Sequence, residues 1–164
     1  IRNAMAGFSR FVGVLMLCAI FLVTSYGMIT NFEGMVGYAK GRMMDAGLAP
    51  YLQSGADMAG VTSDKVVEFL VGVALFLKAA GAVALLFGGD SCGSVMLLMF
   101  LAGVTPIMHA PNQTGEGAAM ANQMQVIQIL KNLAIGGGIL ILWSSSGARY
   151  QGSNTPGAPK VKGD

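Results

Sequence analysis

Four long apolar runs dominate the chain, at about residues 11–29, 66–88, 92–108 and 124–143. A helix needs about 20 mostly apolar residues to cross a bilayer. Only helices and closed barrels satisfy their own backbone groups in hydrocarbon, and these runs are too long and continuous for barrel strands. The composition agrees: 54% of residues are hydrophobic and 11% charged, where a soluble domain carries about 25% charged residues. Mean hydropathy is +0.62. The reading is an all-α membrane protein, a four-transmembrane-helix bundle over residues 1–146, with a polar tail at 147–164. The net charge of +2 is small and scattered, which excludes a nucleic-acid surface.

The segment between the first two spans has its own pattern. Phe32, Met35, Val36, Ala39 and Met43 recur at helical spacing, while Glu33, Lys40 and Arg42 fall off that face. The segment is too short and polar to cross, so it is expected as an amphipathic helix lying in the membrane interface. "FGGDSCG" is a tight turn that makes spans two and three an antiparallel hairpin.

Four spans place both termini on one side, here called side A. Side B carries the two longer loops. Arg2, Arg10, Arg149, Lys160 and Lys162 lie on side A, against Lys40, Arg42 and Lys65 on side B. The positive-inside rule then puts the termini in the cytoplasm or the mitochondrial matrix. The chain begins at Ile1, and no A-x-A-like site follows the first run, so that run is expected as a retained span.

Polar residues inside the spans mark the candidate site. By helical rise, Glu68 in span two and Lys131 in span four reach similar depths below side B. Gln125, Gln128 and Asn132 share a face of span four, and His109 arrives at that level after Pro106. Glu68, His109, Gln125, Gln128, Lys131 and Asn132 are therefore expected to form a buried polar cluster able to touch a quinone or a lipid, with Glu68 and Lys131 as a neutralising pair. Lys78 is a lone charge near mid-membrane. Gly136, Gly137 and Gly138 in span four and Ala79, Ala80 and Gly81 in span two are small-residue patches, expected to pack the two spans together beside Lys78.

The chemistry the sequence omits is also informative. It has one His and two Cys without metal-ligand spacing, no phosphate-binding glycine loop and no nucleophile elbow. No catalytic residue and no metal site is assigned. No intrinsic cofactor is expected, beyond a quinone or structural lipid.

"LKNLAIGGGILIL" resembles the last-span signature of the DoxX-like superfamily. "NFEGMVGYAK" and "VALFLKAAGAVALLFGGDSCGSVMLLMFLAGVTPIMH" precede it in that superfamily's order. The setting of Lys78 ("ALFLKAAGAVALLFG") and the Thr-Pro-Ile at the end of span three look most like the HR-like lesion-inducing membrane proteins. The surfeit-locus cargo receptors of the endoplasmic reticulum share the last-span pattern but are longer. The resemblance covers residues 10–144 and implies a four-helix membrane bundle, with Lys78, Asn132 and the glycines structurally important. It brings no agreed set of catalytic residues.

Three functions follow as expectations. The first is a non-catalytic accessory or structural subunit of a respiratory-type complex, contacting lipid and other membrane subunits in the mitochondrial inner membrane. A processed start would suit an imported protein. The second is a subunit of a quinone-linked oxidoreductase of the thiosulfate:quinone type. The third is an endomembrane receptor or stress-associated protein of the endoplasmic reticulum.

Overall fold

The computed structural model describes residues 2–112 and 114–153, with side chains from Phe8 to Ser144 apart from that of residue 113. The described residues form six helices: α1 (Arg2–Thr30), α2 (Phe32–Asp45), α3 (Ala49–Ala59), α4 (Ser63–Leu86), α5 (Asp90–Met108) and α6 (Ala118–Ser153). Among the described residues four stretches are long and apolar enough to cross a membrane: Phe8–Thr30, Ser63–Leu86, Asp90–Met108 and Ala118–Ser144. Each contains nearly all of one apolar run read from the sequence. Helix α6 continues through the first residues of the polar tail, and residues 154–164 lie outside the described part.

The spans pack as a row. Helix α4 packs against α1 and α5, α6 packs against α5, and the row curves so that all four helices share one apolar cluster. The α4–α5 hairpin is the tightest part. Its turn needs Gly88, whose φ of +81° is left-handed backbone that side-chain-bearing residues rarely adopt. A Cβ on Gly93 would stand 2.7 Å from the Gly81 carbonyl oxygen, and one on Gly81 would stand 3.0 Å from Leu97. The two helices therefore approach backbone to backbone, as small residues allow in lipid.

This overturns one expectation. Gly81 packs α4 against α5, so that small-residue patch is already occupied. Gly136 approaches Leu98 and Leu101 of α5, while Gly137 and Gly138 have nothing within 4 Å of a built Cβ. Spans two and four do not meet through small residues, because α5 stands between them.

Two apolar clusters hold the row. One joins Cys18, Phe21, Ala82, Leu97, Phe100 and Ile139 across α1, α4, α5 and α6. Phe21 and Phe100 meet edge to face at 6.2 Å. The other lies at side B, where Ala39, Met43 and Leu52 of α2 and α3 cover Val67 and Val71 of α4. Phe32, Met35 and Val36 flank it, so the apolar face read from the sequence is the buried face of α2. That face covers the side-B ends of the spans.

Arg42 has a role that the sequence pattern does not show. It is 4% exposed, although it falls off the apolar face. Its Nε donates to the Met108 carbonyl at 3.1 Å and its Nη2 to the Ala110 carbonyl at 2.8 Å. Asp45 lies 3.6 Å from Nη1. A helix C-terminus has carbonyls without intrahelical donors and attracts positive charge. Arg42 thus ties α2 to the end of α5. Asn112 adds a bond to the Asp45 carbonyl at 2.7 Å.

Helix α3 went unread in the sequence. Pro50 stands in its first turn, Leu52 and Ala56 form its buried face, and Gly60 ends it with a φ of +65°. Those start, face and stop signals are present, but the helix has only 11 residues.

Candidate functional site

Because the row curves, α1 and α6 at its ends face each other across a cleft. Fully buried Ile139, in one cluster with Cys18 and Phe21, marks the middle of the cleft. The side-A half, of about 490 Å³, has Arg10, Gly13 and Leu17 on one wall and Gly138, Ile141 and Leu142 on the other. At that end Arg10 pairs with Asp90 at the start of α5. The side-B half, of about 290 Å³, is walled by α1 and α6, with α4 and α5 behind them and α2 above.

The polar groups gather in the side-B half. Lys78, 7% exposed, projects from α4 into its wall. A helical side chain leans towards the N-terminus of its helix, so this stem leans towards side B. Nζ lies 3.5 Å from Met28 Sδ and 5.4 Å from the centre of the Phe100 ring. Thioether and ring are soft partners that leave the charge standing. His109, Gln128, Lys131 and Asn132 line the same space.

The expected six-residue cluster forms only in part. His109 Nδ1 and Gln125 Oε1 are 3.0 Å apart, linking the end of α5 to α6. Asn132 donates to Thr105 Oγ1 at 3.0 Å, which locks α6 to α5 one turn deeper. Glu68 stands apart. It pairs with Lys65 at 2.5 Å, one turn away on α4, where both are substantially exposed. Lys131 is exposed on the rim of the cleft, with no carboxylate within ion-pair distance among the described residues. The predicted Glu68–Lys131 pair is absent because α5 separates their helices.

Sequence reasoning missed Thr105, Met28 and Phe100 as partners. Thr105 had a signal, since a hydroxyl in the last turn of a span must bond to something at that depth. Met28 and Phe100 had none, because their contact with Lys78 depends on the order of the helices. Among the described residues no group of three or more His, Cys, Asp or Glu is placed to hold a metal. Cys18 is buried and Cys92 exposed, and both are free.

A four-span row capped by an amphipathic helix, with a lysine facing an internal cleft, is the arrangement on which the comparisons bear. Residues 6–144 match the HR-like lesion-inducing family. The chain belongs to that family. No curated protein matches it, and no solved structure does. The family match ends at Ser144, where the last membrane-crossing stretch ends. The HR-like lesion-inducing match therefore spans the whole helical row, including Lys78 and the cleft.

Proposed function

We propose that this HR-like lesion-inducing protein is a non-catalytic accessory subunit of a larger, respiratory-type assembly in the mitochondrial inner membrane, with both termini in the matrix. One observation carries the reading. Only 6% of the α6 membrane stretch is buried within the chain, against 28% for α4 and for α5. Helix α6 packs mainly on α5 and leaves much of its surface for a neighbour. Met124, Ile127, Leu130 and Leu133 form part of that outward surface.

The test is native electrophoresis of the full-length protein in mild detergent, followed by mass spectrometry of each band. The reading predicts a high-mass band containing other membrane proteins. Migration solely as a free monomer would refute it. A fluorescent tag should give a mitochondrial pattern, and a reticular pattern would favour the endomembrane reading instead.

A second reading, a quinone-linked oxidoreductase subunit, draws on the donors around the side-B half of the cleft. Lys78, Asn132 and His109 could bond to quinone carbonyl oxygens. Thiosulfate-dependent quinone reduction by the isolated assembly would support it, and loss of that activity in Lys78→Met would assign it to this cleft.

A further inference from the structure

Six cationic residues have described side chains: Arg10, Lys40, Arg42, Lys65, Lys78 and Lys131. Four of them stand within ion-pair distance of a carboxylate: Arg10 with Asp90, Lys40 with Asp64, Arg42 with Asp45, and Lys65 with Glu68. The two left over are Lys78 and Lys131. Both line the side-B half of the cleft, and no Asp or Glu lines it with them.

Charge removed from water needs an opposite charge or a full set of acceptors. Lys78 has neither, since its neighbours are a thioether and an aromatic ring. An anion in the cleft would supply that opposite charge. Its source follows from the rest of the lining. Ile20, Phe21, Leu101 and Ile135 make apolar walls between two membrane helices, which suit acyl chains better than a free ion.

The cleft reaches side B. Lys78 Nζ reaches Met28, in the last turn of α1, and Asn132 meets Thr105, one turn from the end of α5. By helical rise these levels lie within about 10 Å of the side-B ends of those helices. The polar lining thus runs from the side-B ends of α1 and α5 inward to Lys78, whose backbone lies about 22 Å along α4 from Ser63.

We propose that the side-B half of the cleft binds an acidic phospholipid, its phosphate between Lys78 and Lys131 and its acyl chains along Ile20 and Ile135. Basic clefts between membrane helices hold acidic headgroups by the same charge pairing. Asn132 and Gln128 stand beside the phosphate as further polar groups. The lipid site is independent of the subunit reading, because a free monomer could hold the same lipid.

The experiment is native mass spectrometry of the full chain in mild detergent, with dioleoyl phosphatidylglycerol or dioleoyl phosphatidylcholine added at equal concentration. Wild type should retain the glycerol lipid about tenfold better than the choline lipid. Lys78→Met and Lys131→Met should each remove most of that preference, while Lys40→Met, at a paired lysine outside the cleft, should leave it intact. Lys131 is exposed, so its variant reports even if Lys78→Met does not fold. Equal retention of the two lipids would overturn the proposal. So would equal loss in Lys40→Met, or displacement of the acidic lipid by oleate, inorganic phosphate or neutral decylubiquinone.

Discussion

The α4–α5 hairpin and the α1–α6 cleft are built from similar apolar sequence, yet one is filled and the other open. In the hairpin, Gly93 lies so close to Gly81 that no Cβ fits. In the cleft, Gly138 lies beside space of about 490 Å³. The charges divide the same way. Arg42, at the side-B end of α5, satisfies two carbonyls and faces Asp45. Lys78, equally buried, faces a cavity and no acid. Burial alone therefore does not distinguish a cation paired within the fold from one that faces a cavity. The distinction lies in whether the surrounding protein supplies the opposite charge.

Substitutions can break this contrast, and the largest effect is expected in the hairpin. Gly93→Val would force a side chain against the backbone of α4, and overpacking of this kind costs about 3 kcal/mol. A thermal melt in detergent should show a large loss, and an unchanged melting temperature would mean that the hairpin is looser than described. Next comes Arg42→Met, which strips charged donors from the Met108 and Ala110 carbonyls and should cost about 2 kcal/mol. Proteolysis within residues 46–62 should accelerate in parallel, because α2 and α3 lose their tie to α5. Asn132→Leu removes a bond between spans, worth about 0.6 kcal/mol inside membranes. The smallest effect belongs to Gly138→Ala. Nothing stands within 4 Å of the added Cβ, so the melt should not fall, and a fall would show that the side-A half of the cleft is closed.

The four spans were legible because each apolar run is long enough to cross, and the buried face of α2 because five residues repeat at helical spacing. Neighbour relations were not legible. Periodicity tells which side of a helix is apolar, while depth tells how far along the membrane normal a residue sits. Neither says which helix stands beside which. Glu68 and Lys131 share a level below side B, but α5 stands between their helices, so Glu68 pairs along its own helix with Lys65. The partners of Arg42 were not legible for a related reason. A polar residue off an apolar face reads as solvent-exposed unless the carbonyls it will cap are already placed, and those belong to a helix some 66 residues later in the chain. His109 and Gln125, by contrast, flank a single connection, and the short path between α5 and α6 brings them together.

The contrast between the two buried cations is tested most directly by melting Lys78→Met beside wild type in lipid-free detergent. Removing an uncompensated buried charge in favour of an apolar side chain of similar length should leave the melting temperature unchanged or raise it. A loss as large as that of Arg42→Met would contradict the account, because Lys78 would then be a structural tie and the cleft would not need an anion.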